Sequence, residues 1–337
     1  MLTPRENFIE TIKKDGHPDR IVNEYEALEW LPGDPVNVYV HGAPYKGMKP
    51  FTTKWGVTKV WPEDQVAAIP DHTKLAITDI TCWRDQVQVP DLKPIENDQA
   101  AWDEFQKRVD AIDRTQKMTM AFMTTGVFEQ LHSMMGFEDT LMNFLLEPDD
   151  MMDLCEAIGE HRLEYLRILT EKFHPDAILS HDDWGAKQSM FMSPDVWREF
   201  LKPQYKKLYD YAHEHDILVI HHADSYLQPI VSDMAEIGVD LWQGVLPDND
   251  ILAIQKELDG SMAMMGGIET ALVDTEDATE EQIRKETRRV LETYTPAGHF
   301  IPSITYGDPT SFFPLTLEVI RDEIRKFNTE RFGIQYD

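Results

Sequence analysis

The stretch Ile217-Leu-Val-Ile-His221-His222-Ala-Asp224 decides how this chain is read. An apolar run delivers two adjacent histidines and an aspartate where a strand would give way to a loop. Successive side chains of a strand point to opposite faces, so His221 and His222 cannot both face one cavity through the strand itself. One of the two is expected to be structural.

Similar short apolar runs lie on both sides of this one: Met118–Met123, Ala177–Ser180, Asp240–Gln243, Met262–Met265 and Phe300–Ile304. Helical stretches separate them, which argues for parallel strands joined by crossover helices. Six runs, with one or two earlier ones, suggest eight, so the predicted fold is α/β, a (β/α)8 TIM barrel with an irregular N-terminal extension. Thr3-Pro4-Arg5-Glu6 and Thr279 with Gln282 read as capping boxes, and Pro148 and Pro194 mark further helix starts. Pro203 lies inside the stretch from Val196 to Ala212 and should kink or divide it.

Upstream of Met118 the pattern is interrupted by Leu31-Pro-Gly-Asp-Pro, Trp55-Gly-Val and Val60-Trp-Pro. The expectation there is a strand over Ile21–Tyr25, an irregular excursion that either caps an active site or is a plain insertion, and a helix over Trp102–Ile112. No linker or repeat divides the chain. Residues 1–337 therefore read as a single domain, with 1–117 the elaborated part and 118–337 the regular βα part.

With 32 basic against 61 acidic residues the chain carries a net charge of −29, which repels phosphate backbones and anionic lipid surfaces. Neither nucleic acid nor a membrane is expected as a partner. Hydrophobic residues make up 42%, enough for a core. Cys82 and Cys155 do not suggest a disulfide framework, and Cys155 falls in a helical pattern where a buried thiol is common. No N-terminal signal segment and no apolar run near the ~18 residues of a membrane span is seen. A cytoplasmic location is expected.

Catalytic groups of such a barrel lie just after the C-terminal ends of the strands. Those positions hold Thr124, Thr125, Glu129 and His132, then His181, Asp182, Asp183 and Trp184, then His221, His222 and Asp224, then Gln243, then Gly266, Gly267 and Glu269, then Tyr306 with Asp308. Asp182 and Asp183 suit a general base, a metal ligand, an orienter of a histidine or a helix cap. The histidines suit a general acid or a metal ligand. Gly266 and Gly267 allow either close approach of a bulky ligand or a tight turn, and the GxGxxG spacing of a dinucleotide site is absent.

Ser180-His-Asp-Asp-Trp-Gly185-Ala-Lys-Gln188, Met192-Ser-Pro194, Phe200-Leu-Lys-Pro203, His221-His-Ala-Asp224 and Gly266-Gly-Ile-Glu269 resemble successive signatures of the uroporphyrinogen decarboxylase superfamily. More narrowly they resemble its corrinoid-dependent methyltransferase branch. The likeness runs from about residue 118 to the C-terminus and includes Pro4-Arg-Glu and Pro18-Asp-Arg20. The decarboxylases carry an arginine-rich motif that grips tetrapyrrole carboxylates, and nothing between Thr3 and Asp34 resembles it. The thiol-methylating branch uses a zinc set of His-x-Cys plus a distant Cys. Aligned on His221, Ala223 stands in place of the first cysteine, and Ile304-Thr-Tyr306-Gly307 lacks the second. Zinc of the cysteine type is therefore not expected, and a harder metal site from His221, Asp182 and Glu129 is the tentative alternative.

The resemblance thus implies a methyltransferase of the O-demethylase kind, which moves methyl from a methoxylated aromatic to the cobalt of a corrinoid on a separate binding protein. The alternatives are a methyl-corrinoid:thiol or folate methyltransferase and a uroporphyrinogen-type decarboxylase. On this reading the proton donor is His221 or His222, steered by Asp182 or Asp183, or Tyr306, with His222 the histidine taken as structural. Trp184, Phe128 and Tyr306 would sandwich the ring, and Glu129, Gln243, Gly266, Gly267 and Glu269 would line the substrate.

Overall fold

In the computed structural model, which describes residues 1–65, 67–305 and 312–336, the chain opens with helix α1 (Pro4–Ile12), closed by the expected Thr3–Glu6 capping box. Strand β1 (Leu28–Leu31) and α2 (Pro35–His41) follow, then a small antiparallel sheet of β2 (Phe51–Thr52), β3 (Thr58–Val60) and β4 (Ile69–Pro70). Short helices α3 (Trp83–Gln86) and α4 (Lys93–Glu96) precede α5 (Gln99–Asp110). The regular part then runs β5 (Met118–Met123), α6 (Val127–Met135), α7 (Phe137–Leu146), α8 (Pro148–Lys172), β6 (Ala177–His181), α9 (Pro194–Val196), α10 (Lys202–Glu214) and β7 (Leu218–His222). It continues through α11 (Val231–Glu236), β8 (Leu241–Val245), α12 (Ile251–Leu258), β9 (Ala263–Gly267), α13 (Thr270–Val273), α14 (Glu280–Tyr294), β10 (Phe300–Ser303) and α15 (Pro314–Phe332).

Seven parallel strands form one sheet in the order β1-β5-β6-β7-β8-β9-β10. Its curl is visible in which side chains meet. Leu28, Met120, Leu179, Ile220, Leu241, Met265 and Ile301, one from each strand, belong to a single buried cluster that also holds Phe8 and Ile12 of α1. Side chains from both edges of a flat sheet could not touch, so the sheet wraps around them as a TIM-barrel-like α/β fold, with α1 plugging the interior. Burying each large aliphatic side chain contributes roughly 1.5–3 kcal/mol, so this interior is a principal source of stability. The described residues carry seven of the eight strands that the apolar runs suggested.

Six strand positions were legible, but most run one or two residues further than their apolar stretches: His181, His222 and Gly267 are the last residues of their strands. The strand expected over Ile21–Tyr25 is absent. Glu24 has a left-handed φ of 52° and sends its carboxylate to Arg321 at 2.9 Å, which breaks the extended path before Leu28. The helix expected over Trp102–Ile112 starts earlier, at Gln99, because Asp98 caps it through the Ala101 N–H. Pro203 divides its stretch as expected: a π-helical segment, Trp197–Leu201, gives way to α10, and Pro203 sits in its first turn. Cys155 is buried in α8.

The excursion between α2 and α5 folds back onto the strand-end face. Ala76 and Ile77 donate to the Met134 carbonyl of α6, and the buried Trp55 stands edge-on to His161 of α8 at 5.1 Å. No helix among the described residues is long and apolar enough to cross a membrane.

Candidate active site at the strand ends

Strand parity places the site. Continuing the interior face by twos from Met120, Leu179, Ile220 and Leu241 brings Phe122, His181, His222 and Gln243 to the mouth of the barrel. The partner histidine, His221, lies on the other face. It is fully buried, stacked on Trp184 at 4.0 Å between centroids, with its Nδ1 on the Tyr209 hydroxyl at 2.8 Å. Burial and the neighbouring His222 hold it neutral, its pKa well below the ordinary value. The geometry therefore reverses the assignment expected from sequence: His222 reaches the mouth, and His221 belongs to the core between sheet and helices.

The pair Asp182 and Asp183 also divides. Asp182 is fully buried and accepts from the backbone N–H of Phe128 (3.0 Å) and Glu129 (2.8 Å), from Trp184 Nε1 (2.8 Å) and from the Tyr205 hydroxyl (2.5 Å). These are the second and third N–H groups of α6, whose own cap position is Gly126 and offers no side chain. Asp182 thus caps α6 from another strand, satisfying donors that would otherwise be orphaned. A Cβ at Gly126 would lie 2.1 Å from the Asp182 Cβ, so the glycine makes room for the cap. Burial and the nearby Glu129 push the Asp182 carboxyl up to about 7, against the pull of Tyr205 and the two N–H groups.

Capping fixes Glu129 in the first turn of α6, where its carboxylate meets His181 Nδ1 at 3.0 Å. Burial opposes charge on both groups, but their mutual attraction outweighs it. The His181 pKa is pushed up to about 9 and that of Glu129 down to about 2. The pair is an imidazolium and a carboxylate at neutral pH, with the His181 side chain 26% exposed and reachable from the mouth.

His222 stacks on His181 at 4.4 Å and hydrogen-bonds through Nδ1 to Gln243 Oε1. Gln243 is oriented by its Nε2, which donates to the Thr305 carbonyl at 3.0 Å, so Oε1 must accept and His222 carries its proton on Nδ1. Burial and the charge on His181 lower the His222 pKa to about 4. Its Nε2 is left with a free lone pair. Asp183 takes the Asp224 N–H at 3.1 Å, and burial pushes both carboxyls up to about 6, Asp183 further raising Asp224.

His181, Asp183 and His222 bring three ligand-type atoms within 4.8 Å of one another. With Glu129 on His181 Nδ1 and Gln243 on His222 Nδ1, both rings have the outer hydrogen bonds that commonly orient metal-bound histidines. The donors, two imidazoles and a carboxylate, suit a borderline divalent ion such as zinc. The tentative set from sequence does not assemble: His221 and Asp182 are turned into the core by their own hydrogen bonds, and Glu129 is held by His181.

Aromatic residues line the mouth, but not those expected. Trp184 and Phe128 are both fully buried, Trp184 on His221 and Phe128 stacked on Phe191 at 5.8 Å. The mouth has instead Phe122, edge-on to His181 at 6.0 Å and to Trp30 at 5.2 Å. Among the described residues the buried Trp30 Nε1 has no hydrogen-bond partner. Period-two counting from Met118 would have found Phe122; Trp30 lay outside the expected strands. Gly266 and Gly267 serve close packing within the protein, because an added Cβ would meet the Val245 carbonyl at 2.4 Å and the Phe300 ring at 2.8 Å, respectively. Glu269 reaches Lys187 at 3.3 Å on the rim, apart from the histidines. Tyr306 and Asp308 lie outside the described residues. His132, one turn along α6 from Glu129, stands edge-on to Phe128 at 5.3 Å.

Fold and mouth together define an α/β barrel with a polar, histidine-bearing site at its strand ends. Residues 78–327 match the model of the uroporphyrinogen decarboxylase (URO-D) family, and the chain belongs to that family. Among solved structures it is similar to a methyltransferase from Methanosarcina mazei, with a TM-score of 0.69, 15% identity, and 97% of this chain and 99% of that one covered. A sugar phosphate isomerase/epimerase from Parabacteroides distasonis overlaps at a TM-score of 0.30 and 9% identity, over 68% of this chain and 76% of that one. No curated protein matches. The residue two places after His222 is Asp224, a carboxylate, whereas Ala223 follows two places after His221.

Proposed function

We propose that this chain is a methyltransferase that releases methyl from the ether oxygen of a small methoxylated aromatic to a corrinoid carried by a separate protein. The observation that carries the reading is the His181–Glu129 pair, an imidazolium held at the mouth beside the aromatic edge of Phe122. Bound corrinoid would supply a strongly nucleophilic cobalt. What the protein must supply is a place for the ring and a proton for the oxygen that leaves.

Phe122 and Trp30 offer the ring an apolar wall. As the methyl–oxygen bond breaks, the electron pair stays on the phenolate oxygen, and His181 donates its outer proton there. Glu129 keeps that proton in place beforehand and stabilises the charge on His181 until transfer. His222, neutral and fixed by Gln243, can accept a hydrogen bond beside it. Family membership and the fold shared with a methyltransferase accord with this reading. So does the absence of an arginine clamp near the N-terminus, where Arg5 is committed to Asp176 and Arg20 to Asp19.

The test is methylation of reduced corrinoid protein by the purified chain across a panel of methoxyarenes. Transfer from none of them would end the proposal. A second reading, methyl transfer to a thiol, is favoured by the His181, Asp183 and His222 set. Zinc bound there would make a thiol more acidic, and His181 would then be a neutral ligand and no acid. Stoichiometric zinc together with thiol-dependent turnover would select that reading.

A further inference from the structure

The loop after β6 reaches across the rim of the barrel. Beyond Asp183 it turns back in a short hairpin, bridged between Gly185 and Met190, with the Ala186 N–H on the Ser189 carbonyl at 2.8 Å and the Phe191 N–H on the Trp184 carbonyl at 2.9 Å. The root of the hairpin lies on the loop after β7. The Ser225 hydroxyl donates to the Gly185 carbonyl at 2.8 Å, and the Tyr226 N–H donates to the Ala186 carbonyl at 2.9 Å. At its tip Lys187 reaches further, to Glu269 after β9 at 3.3 Å and to Asp248 after β8 at 3.7 Å. The strand order β6-β7-β8-β9 therefore puts the hairpin above β7, the strand that ends in His222.

The two attachments differ in kind. The root is held by neutral hydrogen bonds to backbone carbonyls, next to the fully buried Trp184. The tip is held through one side chain: among the described residues Lys187 makes the only ion pairs or hydrogen bonds between the hairpin and the loops after β8 and β9. One ammonium serves two carboxylates there. Asp248 Oδ2 is buried and has no hydrogen-bond donor among the described residues, so the Lys187 charge is what offsets its burial. Ion pairs on an exposed lysine favour the closed arrangement by only a small factor, and salt weakens them. Such a tether closes the hairpin without locking it.

We propose that residues 185–190 form a strap across the mouth, that the Lys187 ion pairs hold it closed, and that its release admits ligand to His222. His222 is only 7% exposed, and its free Nε2 lies at that mouth. Access is set in this way for either reading of the reaction, since His181, Asp183 and His222 share the mouth. A site covered by an ionic tether opens more readily as ionic strength rises.

The experiment measures how fast diethyl pyrocarbonate acylates His222 in the purified chain at neutral pH, with the modified residue located by peptide mass spectrometry. The reagent attacks unprotonated imidazole, and the fully buried His221 beside it in sequence reports any unfolding. Lys187→Met should raise the His222 rate about threefold or more, and Lys187→Arg should keep it near that of the wild type. Added salt should raise the wild-type rate and leave that of Lys187→Met unchanged. Hydrogen exchange at the Tyr226 amide should speed in Lys187→Met by a similar factor, because lifting the strap breaks its bond to the Ala186 carbonyl. A His222 rate unchanged in Lys187→Met, an equal response to salt in both proteins, or acylation of His221 together with His222 would overturn the inference.

Discussion

Asp182 holds the backbone N–H of Glu129 at 2.8 Å while its chain neighbour, His181, holds the Glu129 carboxylate at 3.0 Å. Two consecutive residues of one strand end thus grip one residue of a helix, the first through its backbone and the second through its side chain. The first contact is structural and the second is exposed to the mouth, and the two can be separated by mutation.

Asp182→Ala should act mainly on stability. It leaves two α6 N–H groups and the Tyr205 hydroxyl unsatisfied in a fully buried place, at a cost of about 2–4 kcal/mol. Denaturant unfolding should show that loss. Gly126→Ala should be at least as damaging, since its Cβ would overlap the Asp182 side chain. An Asp182→Ala protein of wild-type stability would contradict the capping role.

His181→Gln should cost no more than the roughly 2 kcal/mol of its pair with Glu129 and leave the protein folded, but remove turnover by a factor of about 10²–10⁴ if His181 is the general acid. Glu129→Gln should allow the His181 pKa to fall from about 9, leaving less imidazolium at neutral pH. Rate measurements with corrinoid protein test both variants, and a His181→Gln enzyme with normal kcat would remove the acid assignment.

The same pair gives a pH dependence of stability in metal-free protein. The His181 pKa is raised from 6.5 to about 9, so its contribution is complete below 6.5 and fades as the pH rises through about 9. The Glu129 pKa is lowered from 4.5 to about 2, so its contribution is complete above 4.5 and fades as the pH falls through about 2. Together they favour the folded state most between about 4.5 and 6.5, by on the order of 2 kcal/mol after allowance for partial exposure. Comparing melting temperatures of wild type and Glu129→Gln across pH should give the largest difference in this range, shrinking above pH 6.5 and largely gone above about 9.

The two adjacent histidines should separate cleanly in a metal titration. If cobalt(II), used as a probe for zinc, binds the wild type, His222→Ala and Asp183→Asn should abolish that binding. His221→Ala should retain the metal stoichiometry while losing about 2 kcal/mol of stability, because it vacates a buried place against Trp184 and Tyr209. Loss of the metal in His221→Ala with His222→Ala unaffected would restore the assignment made from sequence.

Phe122→Ala should raise KM for an aromatic substrate by roughly tenfold, the scale of one lost ring contact and its buried area. Trp184→Ala should unfold or severely destabilise the protein, since the indole is fully buried against Trp197, Tyr205 and His221. Steady-state kinetics on the first and thermal melting on the second distinguish a mouth residue from a core residue.

Much of the barrel was legible because it depends on local pattern. Apolar runs with helices between them, capping boxes at Thr3 and Thr279, and Pro203 within a helical stretch each report on a few neighbouring residues. Strand-end polarity likewise marked Glu129, Asp183, His222 and Gln243, which the fold does bring to one mouth. Ile21–Tyr25 misled because its extended path is broken by a buried contact between Glu24 and Arg321, nearly three hundred residues apart.

What the sequence determined about Ile217–Asp224 was that its two histidines must face opposite ways, because a strand alternates. Which one faces the mouth depends on where the strand stops and on its register, and both are set by pairing with β6 and β8 and by the side chains that fill the interior. Tertiary structure therefore chose His222. It also assigned Asp182 to α6 and paired His181 with Glu129, because those contacts join segments more than fifty residues apart, which local periodicity cannot encode.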